Sequence, residues 1–94
     1  MNKISNEKLN SIISRLLFEE TFAQPLTTEV CIKLKTSMSA LFDSLMSKFG
    51  NIKEPEIDAY IKNGRVKDGV LKYILVLDIN VKIDGNPTVF TYSI

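Results

Sequence analysis

Apolar residues along the chain change their spacing once, near residue 50, from intervals of three and four to intervals of two. Before that point two helices are expected. Ser5 is placed to cap the first, with Ile4 one position outside it and Leu9 at the fourth helical position, the arrangement of a hydrophobic staple. Leu9, Ile12, Ile13, Leu16 and Leu17 then form one apolar stripe, with Asn10, Ser11, Ser14 and Arg15 largely outside it. Pro25 ends this helix at or before Gln24, because a residue preceding proline is pushed out of the helical region.

Thr27 or Thr28 caps the second helix, and Glu29 lies in its first turn, where the positive end of the dipole favours a carboxylate. Val30, Leu34, Met38, Leu41, Leu45 and Phe49 run along one face with Phe42 and Met46 beside them, and Gly50 stands where a left-handed helix terminus favours glycine. At ~1.5 Å per residue this helix is about 33 Å long. The short connection through Pro25 folds the pair into an antiparallel hairpin.

After Gly50, Ile57, Ala59 and Ile61 alternate with Asp58, Tyr60 and Lys62 as in a strand, and Asn63-Gly64 and Asp68-Gly69 supply turn chemistry. A long strand follows from Val70 to Ile83, containing KYILVLDINVKI. By parity Leu71, Tyr73, Leu75, Leu77, Ile79, Val81 and Ile83 share one face and are expected beneath the helices. Val70, Lys72, Ile74, Val76, Asp78, Asn80 and Lys82 share the other, which turns polar from Asp78 onward. A turn over Asp84-Gly85-Asn86-Pro87 leads to a last strand, Thr88 to Ile94. As a four-residue loop it sets Ile83 against Thr88, Val81 against Phe90, Ile79 against Tyr92 and Leu77 against Ile94. The expected fold is α+β in two layers: an N-terminal antiparallel helical hairpin on one face of a three-stranded antiparallel meander, order ααβββ.

Composition narrows the chemistry. With 94 residues, 45% of them apolar and 24% charged, the chain fits one globular domain over residues 1–94 with a small core. Lys and Arg number 12 against 11 acidic residues, and only Arg15 and Arg65 are arginines, so neither a basic footprint nor the arginine fork used for base reading stands out. Cys31 is the only cysteine, which excludes an intramolecular disulfide and suits a reducing compartment. The polar segment MNKISNEKLN and the absence of a ~20-residue apolar run lead us to expect a soluble, cytoplasmic protein without membrane partners. The Lys, Asn, Ile and Ser richness suits an AT-rich genome such as a phage's, an association without physics in it.

No histidine exists, so Ser-His, Cys-His and histidine-metal sites are excluded by count, and the four glycines form no phosphate loop. Asp78, Asn80 and Asp84 with Gly85 and Asn86 resemble a calcium loop only faintly, with the glycine at the wrong offset and no closing glutamate. Glu54, Glu56 and Asp58 offer carboxylates for acid–base work, although a charged strand edge that discourages mispairing is commoner. Cys31 lies near a helix start, which lowers a thiol's pKa, yet beside Val30 and Ile32 it reads as a small buried apolar residue. We expect no catalytic residue, no metal and no cofactor.

Two surfaces remain. The loop KNGRVKDGVLK carries Lys62, Arg65, Lys67 and Lys72, the one local excess of positive charge, able to meet phosphate or an acidic partner. Tyr60 and Tyr73 flank it on opposite faces, which argues against a stacking platform. The second surface is the sheet face away from the helices, where Tyr60, Val70, Ile74, Val76 and Val89 leave an apolar patch, and where Val70 to Val76 outreaches the last strand and offers a free edge. The expected function is therefore a small non-enzymatic protein–protein interaction module, homodimeric through the sheet, in its most concrete form a phage or mobile-element inhibitor that blocks a host or defence protein. The alternative is a nucleic-acid or nucleotide binder using the basic loop around Arg65.

Overall fold

The computed structural model describes residues 2–94, with all side chains of that span except those of Arg65 and Lys67. Helix α1 (Asn6–Thr21) begins at Ser5, whose hydroxyl accepts a hydrogen bond from the Lys8 amide at 3.1 Å. Ile4 and Leu9 are both buried, as a staple requires. Helix α2 (Thr28–Lys48) begins at Thr27, which accepts from the Val30 amide. The buried residues of α1 are Leu9, Ile13 and Leu17, and those of α2 include Val30, Leu34, Met38 and Leu45, so the stripes face the core as their spacing dictates. Phe42, expected beside the stripe, is at 0% exposure the largest fully buried side chain of the core.

Strands β1 (Ile52–Lys67), β2 (Val70–Ile83) and β3 (Asn86–Ser93) form one antiparallel sheet in the order β1-β2-β3. The architecture is two helices followed by a three-stranded meander, with the helices on one face of the sheet. Leu75, Leu77, Ile79, Val81 and Ile83 are buried in the shared core, along with Ile52 and Ala59. Lys35 of α2 lies 3.8 Å from Asp58 of β1, whereas the Tyr92 hydroxyl of β3 donates to Asn10 of α1. Helix α2 therefore runs above β1, and α1 runs above β3.

Four local expectations are corrected. Gly50 does not take a left-handed conformation; α2 ends at an extended Phe49, whose amide donates to Leu45, while the Gly50 amide donates to the Asn2 carbonyl at 3.1 Å. The Gly50 amide is thus taken by the N-terminal segment instead of turning back to a helix carbonyl. Asn63-Gly64 is not a turn but a bulge within β1, and the basic loop is paired strand on both sides of the Asp68-Gly69 turn. A Cβ at Gly64 would lie 2.4 Å from the Lys72 carbonyl, so glycine is required by close strand approach. The final turn has two central residues, Asp84 and Gly85, both at positive φ, which pairs Ile83 with Asn86, Val81 with Thr88, Ile79 with Phe90 and Leu77 with Tyr92. That twist matches the flanking strands better than a longer loop, and the two-residue shift leaves every side chain on its expected face.

The fourth correction has the largest consequence. Leu71 and Tyr73 share a face with Leu75 but are 43% and 53% exposed, because the strands outrun the helices. Phe49 ends α2 beside the start of β1, and the 21 residues of α2 reach back about 31 Å at ~1.5 Å per residue, which covers β1 only to about Ile61. The hairpin from Lys62 to Ile74 projects roughly 20 Å farther, at ~3.3 Å per residue. It accounts for the elongated 52 × 21 × 18 Å shape.

Candidate functional site

The apolar patch expected on the outer sheet face is only partly assembled. Tyr60 stands opposite Val76, and Ile74 is the next residue of β2 on that face. Val76 does not look into solvent: it is 3% exposed while lying outside the core shared with the helices. The Tyr60 hydroxyl lies 3.4 Å from the Asp78 carboxylate, so the ring spans the diagonal beside Val76. Withdrawal from water raises the Tyr60 hydroxyl pKa, and the neighbouring Asp78 adds to the shift. Ile74 is half-buried, Val70 is exposed on the projecting hairpin, and Val89 is exposed on β3 beside Asn80, apart from the other four.

The outer face is instead banded along its length. Asp58 lies directly opposite Asp78, with Glu56 nearby; Tyr60, Val76 and Ile74 follow; Lys62 and Lys72 come next toward the hairpin tip. Arg65 and Lys67, expected to contact phosphate or an acidic partner, lie outside the side chains described. The candidate acid–base carboxylates are engaged separately. Glu54, at φ 55 in the first bulge of β1, meets Lys82 at 2.8 Å, and that hydrogen bond followed by the lysine's charge lowers its pKa. Asp58 faces Lys35. A general acid needs a carboxyl held protonated, the opposite shift to that of Glu54. Cys31 is buried, and its thiol pKa is raised by desolvation first and by Asp58 second, with Lys35 acting the other way.

The free edge of β2 is shorter than expected. Leu75 exchanges both backbone hydrogen bonds with Ile94, at 2.9 and 3.0 Å, so the unpaired stretch on the β3 side is Val70 to Ile74. Since Leu75 points its amide and carbonyl toward β3, Tyr73 and Leu71 point theirs the same way, with no partner strand beside them among the described residues. Val66, Val70, Leu71 and Tyr73 are all exposed there, as are Phe18 and Phe22 at the far end of α1, whose rings lie 5.4 Å apart. Sequence reasoning missed both groups. Phe18 and Phe22 stand four apart and off the α1 stripe, a signal that was readable; the exposure of Leu71 and Tyr73 depends on where the helices stop, which parity does not carry.

Away from this end, a depression of about 440 Å³ lies beside Lys3, Gly50, Asn51, Lys53, Asp84 and Gly85. Its centre is structural. The Asn51 side chain is buried, donating to the Ile4 carbonyl at 2.9 Å and accepting from the Ile4 amide at 3.0 Å, while the Asn51 backbone carbonyl accepts from the Asp84 amide. Among the described residues no cluster of carboxylates and thiols is placed to hold a metal, and no helix is long and apolar enough to cross a membrane. Comparison with protein-family models, with curated proteins and with solved structures gives no match.

Proposed function

We propose that the protein is a non-enzymatic protein–protein interaction module whose contact surface is the projecting hairpin from Lys62 to Ile74. One observation carries this reading: Val66, Val70, Leu71 and Tyr73 are held in water on strands that extend beyond the helical layer. Val66, Leu71 and Tyr73 share the helix-side face and Val70 lies on the outer one, so a partner that grips the hairpin from both sides would bury them, and exposed apolar area on a small protein is the usual mark of an interface. In the blocking form of this reading, the hairpin covers a surface that a host or defence protein needs for its own contacts.

The test is photo-crosslinking in the native cell, with the reactive side chain placed at Val70, at Tyr73 and, as a control, at exposed Ser11. Adducts to one protein from the two hairpin positions and none from Ser11 are the expected result. Absence of adducts, or equal adducts from Ser11, removes the reading.

The banding of the outer face favours a second reading, in which two copies pair through this face. Asp58 and Lys62 lie two residues either side of Tyr60, so a twofold axis near Tyr60 sets Asp58 of one copy against Lys62 of the other. Sedimentation equilibrium distinguishes it: Asp58→Lys and Lys62→Glu each dissociate the dimer, and together they restore it. A monomeric wild type at all concentrations ends this reading and leaves the first standing.

A further inference from the structure

Resting on the reading of the hairpin as the contact surface, we propose that its helix-side face takes a second copy of this chain, each copy laying its hairpin over that of the other. This is the opposite face of the sheet from the one that carries Asp58, Tyr60 and Lys62. Shape, charge and area each point to a self-partner.

The shape is a step. Over the body the helices lie on the sheet, whereas past Ile61 and Leu75 the sheet continues alone. The helices account for about 31 Å of the long axis and the hairpin for roughly 20 Å, together close to its 52 Å length. The step is one layer deep, about 10 Å, and two sheets packed face to face need the same spacing. A hairpin turned over by a twofold axis therefore fits the layer that the helices leave open. Its own step receives the first hairpin in return, and the tip of each ends against the helical layer of the other. Two layers then run unbroken through the pair.

The charges all lie elsewhere. Val66 stands opposite Leu71 and Asn63 opposite Tyr73, so these four share the helix-side face. Of the described side chains between Lys62 and Ile74, the charged ones are Lys62 and Lys72 on the outer face and Asp68 in the turn. Turning one copy over the other thus sets apolar atoms against apolar atoms and no charge against a like one. Phosphate finds no cation among the described side chains of this face, which argues against nucleic acid or an anionic lipid surface as the occupant. A foreign segment would have to bring an uncharged apolar ribbon of matching length, and a second copy carries one already.

The area is sufficient. Phe18 and Phe22 stand where the helical layer stops and are 64% and 65% exposed, while Tyr73 is 53%, Leu71 43% and Val66 67% exposed. At roughly 200 Å² for an aromatic side chain, these five present on the order of 500 Å² per copy. The pair buries about 1,000 Å², the least that a specific interface requires. The dimer is accordingly a weak one that separates on dilution, which returns the hairpin to water. Val70 and Lys72 stay on the outer side, open to another protein.

The experiment is sedimentation equilibrium with small-angle X-ray scattering on the full chain across the micromolar range. We expect a monomer–dimer equilibrium whose dimer is about 85 Å long, because two 52 Å molecules overlap by roughly 20 Å. Pairing through the outer face about Tyr60, near the middle of β1, gives instead a dimer scarcely longer than one copy. Tyr73→Asp should weaken dimerisation about tenfold or more. Tyr73→Thr, which keeps a good strand former, should weaken it in the same direction, and Val89→Asp on the outer face should leave it unchanged. Leu71→Cys, in a Cys31→Ala background, should be joined to its copy by a short bismaleimide, and Val89→Cys should not. A monomer at every concentration, a dimer no longer than one copy, or a dimer that Tyr73→Asp leaves intact overturns the proposal. A monomer that still crosslinks through Tyr73 to a cellular protein removes self-pairing alone and leaves the hairpin reading standing; a monomer without such adducts removes both.

Discussion

The two ends of β2 follow one alternation and reach opposite outcomes. Leu75, Leu77 and Ile79 are sealed beneath the helices, whereas Leu71 and Tyr73, on the same side of the same strand, stand in water. A period of two tells which side a residue takes; whether that side is covered depends on how far a separate element extends. Here the length of α2 sets the boundary near Ile61 and Leu75. The covered half is a folded body whose parts hold one another, and the uncovered half is a hairpin whose apolar residues contribute little to that body.

The sharpest way to break this division is to compare two aromatic truncations. Phe42→Ala, which empties the centre of the body, is expected to cost about 3–5 kcal/mol in denaturant unfolding. Tyr73→Ser should fall within about 0.5 kcal/mol of wild type, as for surface substitutions generally. Comparable losses would mean that the hairpin is part of the core after all.

Next in size is Asn51→Ala. It leaves the buried amide and carbonyl of Ile4 without partners, at an expected cost of about 1–3 kcal/mol. Chemical shifts should move around Ile4, Phe49 and Asp84 and stay fixed in the hairpin.

These contrasts also separate what the chain discloses in one dimension from what it does not. Both helices, the Ser5 cap, a threonine cap at Thr27 or Thr28, the face of every β2 residue and the order of elements were readable, because each follows from spacing or from a side chain acting on its own neighbourhood. Three features were not. The Asn51 clasp joins residues remote in sequence and leaves no periodic trace. Val76 is 3% exposed although it lies outside the core shared with the helices, with Tyr60 opposite it on the neighbouring strand, so a count of layers misjudges it. Asn63-Gly64 has the composition of a turn, yet Asp68-Gly69 five residues later closes the hairpin and leaves the glycine to relieve crowding against Lys72. Of the expected contact residues Tyr60, Ile74 and Val76 come together, whereas Val70 and Val89 stand apart.

A local perturbation sharpens the comparison further. Gly64→Val drives a side chain into the Lys72 carbonyl, so the hairpin should loosen. Amide exchange within Lys62 to Ile74 is expected to accelerate by about tenfold, with Leu75 to Ile83 unchanged. Acceleration spreading into Leu77 and Ile79 would join the two halves into one cooperative unit.

The smallest expected effect is the pH response of Glu54 and Lys82 at the surface of the body. Glu54 has a lowered folded pKa, so its contribution is present above its unfolded value and disappears as pH falls through the folded one. Lys82 has a raised pKa, so its contribution is present below its unfolded value and disappears as pH rises through the folded one. The pair is intact at neutral pH. Carboxyl titration by NMR should place Glu54 at higher pH in Lys82→Met than in wild type, with no change in the hairpin signals.

The clasp between Ile4 and Asn51 spans 47 positions, most of which are the two helices. Bringing its ends together early would require closing that whole loop before the helices dock, so a late-forming latch is expected. Asn51→Ala should then hasten unfolding while leaving the refolding rate unchanged, and stopped-flow refolding that slows as much as unfolding speeds up would show the contact to be made early.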